Sequence, residues 1–173
     1  MLAEPSQHLS SAGQAVVLYA RPEPILAALP QARLSELLSA EERERHARLR
    51  FGSDRDAFLV AHALTRRLLG SVAGVDPREL QFQPAQHGRP EIAGPAPARE
   101  LSFNLSHTRG LVACAVARGA RVGVDTEYVE RRVELLSIAR HVFSPREQSA
   151  LCALSGVEQR LRFFELWTLK EAY

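Results

Sequence analysis

Residues 101–130, LSFNLSHTRGLVACAVARGARVGVDTEYVE, decide the fold class of this chain. Within the stretch, residues 102–105, 111–117 and 121–127 are apolar or alternating runs separated by short polar turns. Such runs predict three successive strands. Because the connections are too short for a crossover between parallel strands, we expect an antiparallel meander.

Helix signals surround this predicted meander. Ser39, with Glu42 three residues later, forms a capping box that starts a helix. A longer helix is expected from residue 53 to residue 69, with Gly70 as its stop. The other predicted strands lie at residues 15–19 and 80–83, and residues 84–97 are expected to form an exposed loop. Three further helices are predicted: one at residues 133–141, one that begins at the Ser144 capping box, and one from about residue 158 to the C-terminus. The mixture predicts an α+β protein.

Composition limits the size and the class of the protein. With 173 residues, the chain can form one domain or two small lobes. Its 46% hydrophobic and 24% charged residues are typical of globular proteins. No apolar run approaches the roughly 20 residues of a membrane span, and residues 1–14 lack the layout of a secretory signal. We therefore expect a cytoplasmic protein that does not contact membranes.

Residues 122–127, VGVDTE, carry the most informative acidic pattern. On a strand, alternation places Gly123, Asp125 and Glu127 on one face. Neighbouring carboxylates repel each other unless a cation separates them, so the pattern indicates a site for a hard divalent ion. A solvent-facing strand edge with ordinary acidic residues is the alternative, and the pattern alone does not decide.

A second pattern lies in the predicted C-terminal helix. Phe164, Trp167 and Glu171 follow helical spacing, so Glu171 is expected on a buried aromatic stripe. A buried carboxylate is costly unless it is paired or bound to a metal ion. Lys170 is rotated by one residue, and its ammonium can reach either a phosphate or water.

The third pattern is FNLSHT, residues 103–108, a predicted strand that runs into a turn. It offers an amide, two hydroxyls and the imidazole of His107 as partners for a ribose or a phosphate. A structural or merely exposed histidine is the alternative.

Taken in order, the three patterns resemble the signatures of the surfactin-type 4′-phosphopantetheinyl transferases. These signatures are Phe-Asn-Leu-Ser-His, Gly-Val-Asp-x-Glu and Phe-x-x-x-Trp-x-x-Lys-Glu-Ala, which match residues 103–107, 123–127 and 163–172. Gly88-Arg89-Pro90 stands where this family often has Gly-Lys-Pro, and the resemblance extends to Phe143-Ser144-Pro145-Arg146-Glu147.

The resemblance implies roles for particular residues. Asp125, Glu127 and Glu171 would hold Mg²⁺. Contacts with coenzyme A are expected from Ser106, His107, Lys170, Arg55 and Arg89. Glu171 would also accept the proton of the attacking serine, and Lys170 would stabilise phosphate charge in the transition state.

The resemblance also implies a fold and an activity. The fold would be two similar α/β lobes in a pseudo-twofold arrangement, residues 1–118 and 119–173. The second lobe would be incomplete, because family members continue beyond the point that corresponds to Tyr173. A monomer would move phosphopantetheine from coenzyme A to a serine of an acyl or peptidyl carrier protein, and a truncated chain would be weakly active or inactive alone.

Two other functions stay open at this point. One is a noncatalytic remnant that only binds coenzyme A or a carrier protein; the three acidic positions argue against it. The other is nucleic-acid binding by an arginine-rich domain, which fits the sequence pI of about 8.8, but no recognition motif or aromatic interleaving supports it. We therefore expect no nucleic-acid partner.

Overall fold

The computed structural model describes residues 14–84 and 90–173, which form a mixed arrangement of helices and strands. The expected α+β class is confirmed. The strands are β1 (Ala15–Ala20), β2 (Gln81–Pro84), β3 (Pro90–Gly94), β4 (Leu101–Thr108) and β5 (Leu111–Arg118). The helices are α1 (Pro22–Ala28), α2 (Gln31–Ser35), α3 (Ala40–Arg48), α4 (Gly52–Ala73), α5 (Leu135–Val142), α6 (Pro145–Cys152) and α7 (Gly156–Ala172).

A three-stranded antiparallel sheet in the order β1-β5-β4 forms the centre of the N-terminal part. Residues 112–117 of the central strand β5 are all buried, so both faces of this strand are covered. Helix α4 packs on one face, where Leu68 and Leu69 share a core with Phe103 and Val116. Apolar burial of this kind supplies most of the driving force for folding.

Helix α4 passes through the glycine at which we expected it to stop. A Cβ atom on Gly70 would lie 2.8 Å from the carbonyl oxygen of Val75, so this position needs glycine for a close approach of the following loop. The helix instead ends at Gly74, whose φ of 69° is left-handed. The prediction of Gly70 as a stop was therefore wrong.

Two further segments contain more regular structure than the sequence predicted. The proline-containing connection after β1 forms the short helices α1 and α2. The segment expected as a loop at 84–97 contains β3, which pairs antiparallel with β2. Residues 85–89, with Gly88 and Arg89, lie outside the described residues.

The predicted third strand of the meander is wrong. Residues 121–127, which we call the acidic segment, form no strand. The N–H of Val124 donates to Asn104 Oδ1 at 2.7 Å, and the N–H of Thr126 donates to Ser106 Oγ at 3.0 Å. Side chains of β4 thus bind the backbone donors that a neighbouring strand would otherwise use.

The three C-terminal helices enclose a separate core. Its buried members are Ala139, Phe143, Leu151, Phe163, Phe164 and Leu166. The capping box predicted at Ser144 is present, since Ser144 and Glu147 bind each other's backbone N–H groups. No helix in the described parts of the chain is both long and apolar enough to cross a membrane.

Candidate functional site

The acidic segment lies directly against the end of helix α7. A Cβ atom on Gly123 would lie 1.5 Å from the carbonyl oxygen of Ala172, a distance that no side chain allows. Glycine is therefore required here by the approach of another backbone. The contact brings the segment that carries Asp125 to the helical turn that carries Glu171.

Asp125 has one paired oxygen, and its other oxygen has no partner among the described residues. Ser106 Oγ donates to Asp125 Oδ1 at 2.8 Å. Asp125 Oδ2 is buried and has no hydrogen-bond partner among residues 14–84 and 90–173. Because an unsatisfied buried carboxylate oxygen is costly, this atom is a candidate ligand for a cation.

Glu127 has partners at both oxygens. Trp167 Nε1 donates to Glu127 Oε1 at 3.0 Å, and the guanidinium of Arg131 donates to Oε1 and Oε2 at 3.0 and 3.1 Å. The side chain of Glu127 is 13% exposed, whereas that of Arg131 is 41% exposed. Arg131, whose ion pair occupies both oxygens of Glu127, is thus more exposed than Glu127 itself.

Glu171 is exposed, and the prediction that it lies on a buried aromatic stripe was wrong. The earlier members of the stripe follow the prediction, since Phe164 is buried and Trp167 is half-buried. The last turn of α7 extends past the small helical core that covers Phe164. Helical spacing gives the direction of a side chain but not the length of the surface that covers it.

Lys170 is bound to the preceding helix. Its Nζ lies 3.0 Å from Glu147 Oε2 and 5.7 Å from the centre of the Phe143 ring. The ammonium has three donors, so one carboxylate does not exhaust them. Its expected contact with coenzyme A stays a prediction.

The other expected coenzyme A contacts lie in different places. Strand β4 continues to Thr108, so Ser106 and His107 belong to the strand and not to a turn as predicted. Ser106 binds the acidic segment, and His107 is exposed near the strand end. Arg55 is exposed in the first turn of α4, where it donates to the carbonyl of Leu49 at 3.3 Å.

The fit of this region to Mg²⁺ is partial. Carboxylate oxygens are the ligands that Mg²⁺ prefers, and the free Oδ2 of Asp125 matches that preference. Among the described residues, however, no three His, Cys, Asp or Glu side chains are grouped closely enough to hold a metal ion. Asp125 is therefore a candidate ligand, and the expected triad with Glu127 and Glu171 is not assembled in the described part of the chain.

A buried charged cluster that no sequence motif predicted adjoins strand β4. Glu42 accepts from Arg66 Nε at 2.7 Å and lies 3.0 Å from His62 Nδ1. Arg66 is only 2% exposed and also donates to two backbone carbonyls. Arg66 lies eight residues after Phe58 and therefore on the same, buried face of α4. This helical spacing is the sequence feature that could have indicated a buried arginine.

An open cavity of about 660 Å³ adjoins the buried cluster. Its lining includes Arg45 and His62 from the helices, Phe82 from β2, and Asn104 and Leu105 from β4. The strand that forms this wall continues directly into Ser106 and so reaches Asp125. The cavity and the acidic segment thus lie along the same strand.

Known families match both parts of the chain. Residues 27–118 match the N-terminal family of 4′-phosphopantetheinyl transferases, and residues 121–173 match the 4′-phosphopantetheinyl transferase superfamily. The first match alone spans more than half of the 173 residues. The chain therefore belongs to the 4′-phosphopantetheinyl transferases.

Individual relatives agree with the family. The 4′-phosphopantetheinyl transferase HetI of Nostoc sp. is 35% identical over 83% of this chain and 62% of its own length. A 4′-phosphopantetheinyl transferase of Bacillus subtilis is 32% identical over 86% of this chain and 63% of its own length. The transferase Sfp of Bacillus subtilis strain 168 is 30% identical over 82% of this chain and 60% of its own length. The chain thus spans less than two thirds of each of these relatives.

Proposed function

We propose that this chain transfers the 4′-phosphopantetheine group of coenzyme A to a serine of an acyl or peptidyl carrier protein and releases 3′,5′-ADP. The serine oxygen forms a bond to the β-phosphorus of coenzyme A, and the bond from that phosphorus to the bridging oxygen of 3′,5′-ADP breaks. Family membership supports the reaction class. The observation that carries the proposal is the buried oxygen of Asp125, in the matched acidic segment, that has no partner within residues 14–84 and 90–173.

We propose that Asp125 holds Mg²⁺ together with Glu127 and Glu171. The bound ion would neutralise charge on the pyrophosphate of coenzyme A. For Glu127 to take part, it must give up the contact with Arg131, and the 41% exposure of Arg131 leaves that side chain room to turn towards water. Ser106 keeps Asp125 oriented by donating to its other oxygen.

The cavity beside β4 is the proposed site for the nucleotide end of coenzyme A. Its volume of about 660 Å³ is in the range of small-molecule sites. Arg45 in its lining and His107 near the end of β4 would contact phosphate oxygens. Arg55, Arg89 and Lys170 are kept as further proposed phosphate contacts.

Glu171 is the proposed acceptor of the serine proton. It is exposed at the end of α7, so a carrier protein can bring its serine to this carboxylate. Lys170, in the same turn, would stabilise the phosphate charge that develops during transfer. We further propose that the protein acts as a cytoplasmic monomer and binds neither membranes nor nucleic acid.

Intact-mass analysis of acyl and peptidyl carrier proteins, incubated with the chain, coenzyme A and Mg²⁺, tests the proposal. The expected result is a mass gain of one phosphopantetheine group that requires the acceptor serine. A serine-to-alanine carrier is the matched control. Calorimetric binding of coenzyme A with no mass gain on any carrier would favour a noncatalytic binding protein instead.

A further inference from the structure

The end of helix α7 is held in place by a residue of a different helix. Glu147 Oε2 accepts from the N–H of Ser144 at 2.7 Å and lies 3.0 Å from Lys170 Nζ. The same carboxylate oxygen therefore closes the first turn of α6 and binds the last turn of α7. The two side chains are partly shielded, at 28% and 33% exposure.

The charges in this junction support each other. Lys170 lies in the last turn of α7, where a cation is favoured by the helix dipole, and Glu147 lies in the first turn of α6, where an anion is favoured. The Phe143 ring lies beneath the ammonium and limits its access to water. The hydrogen bond from the Ser144 N–H, followed by the one from Lys170, lowers the pKa of Glu147, so this carboxylate is ionised at neutral pH.

The turn that this junction secures is the one against the acidic segment. Ala172, two residues after Lys170, has its carbonyl oxygen in contact with Gly123. Helix ends fray unless another contact holds them. A change at Glu147 should therefore increase the local mobility of Gly123 and of the neighbouring Asp125.

We propose that Glu147 is a positioning residue that, through Lys170, fixes the last turn of α7 against the acidic segment. It orients Glu171 and Asp125 relative to each other without touching either one. This inference rests on the proposed function for its catalytic consequence, but the positioning itself can be measured without substrate.

Amide hydrogen exchange of Glu147→Gln tests the proposal in the full chain. Glutamine is accepted in a capping box, so the variant keeps the α6 cap and removes only the charge that binds Lys170. Exchange should become about two- to five-fold faster at residues 169–173 and 121–125, the range expected for a partly exposed ion pair. Lys170→Gln should give the same pattern, and the double variant should add little to either single change.

Glu165→Gln is the matched control, because it removes the exposed pair between Glu165 and Arg162 on the same helix. This control should leave exchange at both segments at the parent rate. If Glu147→Gln changes exchange only at residues 145–148, Glu147 is a helix cap and the proposal is wrong. Unchanged exchange in every segment would equally overturn it.

Transfer kinetics separate this proposal from the proposed function. For a positioning role, Glu147→Gln should lower kcat while KM for coenzyme A changes little. An equal kcat with a raised KM would contradict positioning of the reacting groups. If the parent chain modifies no carrier but the exchange pattern follows the prediction, the proposed function fails and the positioning contact stands.

Discussion

Two carboxylates in this chain, Glu42 beside the cavity and Asp125 in the acidic segment, differ in how fully their oxygens are paired. Glu42 Oε1 lies 3.0 Å from His62 Nδ1, and Oε2 accepts from Arg66 Nε and from the N–H of Ser39, both at 2.7 Å. Asp125 has Ser106 at one oxygen, and its other oxygen has no partner in the described part of the chain.

The difference separates a carboxylate that builds the fold from one that is available to a ligand. Burial alone would raise the pKa of Glu42, but hydrogen bonds from His62 and Ser39 and the charge of Arg66 lower it to about 2. The negative charge of Glu42 is thus balanced by groups of the protein itself. Asp125 Oδ2, which has no partner among the described residues, could instead bind a cation.

Glu42→Gln should have the largest effect on stability. It leaves the buried guanidinium of Arg66 without its counter-charge, which typically costs about 3–5 kcal/mol. Urea unfolding at neutral pH measures this loss. Glu44→Gln, which removes the exposed pair with Arg48 on the same helix, is the control and should change stability by less than about 0.5 kcal/mol. Equal losses of stability in Glu42→Gln and Glu44→Gln would show that Glu42 stabilises the fold no more than an exposed carboxylate does.

Protonation of Glu42 at low pH should also lower the free energy of unfolding, by slightly less than Glu42→Gln does. Because folding lowers the pKa of Glu42 from 4.5 to about 2, its contribution is fully present above pH 4.5 and is lost as pH falls towards 2. The shift corresponds to about 3 kcal/mol. Unfolding free energies measured from pH 6 to pH 2 should fall less steeply in Glu42→Gln than in the parent. Parallel curves would show that Glu42 does not carry this dependence.

Gly123→Ala should disturb the other region. The added methyl group would meet the carbonyl oxygen of Ala172, so either the acidic segment or the end of α7 must move. Such overpacking typically costs about 1–3 kcal/mol. The fluorescence of Trp167, the single tryptophan, reports the same region through its bond to Glu127. Gly52→Ala meets no atom within 4 Å, so it should not lower stability and should leave the fluorescence unchanged.

Ser106→Ala should lower stability less than Gly123→Ala does. It removes a donor to Asp125 and an acceptor for the Thr126 N–H, with an expected cost of about 1–2 kcal/mol. Transfer should fall by more than this stability loss explains, because Asp125 loses its orientation. Ser149→Ala, on an exposed helix position, is the control for losing a hydroxyl. A parent rate in Ser106→Ala would show that Asp125 does not depend on this contact.

Local patterns predicted much of the fold correctly. The strand at the start of the chain, the central strand β5 and both capping boxes depend on neighbouring residues, and all of them are present. Gly70 was wrongly predicted to end α4, because a glycine in the sequence does not show whether it ends a helix or lets a following residue, here Val75, approach closely.

The candidate site was predictable by residue type but not by geometry. Asp125 was predicted to be a metal ligand, and that role stays a prediction; the strand from which it was argued does not form, because side chains of β4 hold the segment instead. The ion pair between Lys170 and Glu147 joins residues that are far apart in sequence, and no periodicity predicts such a contact. Glu171 was placed on a buried face that ends before it.

Asp125→Asn is the decisive variant for Asp125 as a metal ligand, with transfer rate at limiting Mg²⁺ and thermal unfolding measured on the same samples. The amide keeps the shape of the side chain and an acceptor for Ser106, but it removes the charge at the free oxygen. We expect an unchanged melting temperature and a transfer rate lower by roughly 10²–10³. A variant that transfers at the parent rate under these conditions, or that loses transfer only because it unfolds, would contradict the assignment of Asp125 as a ligand.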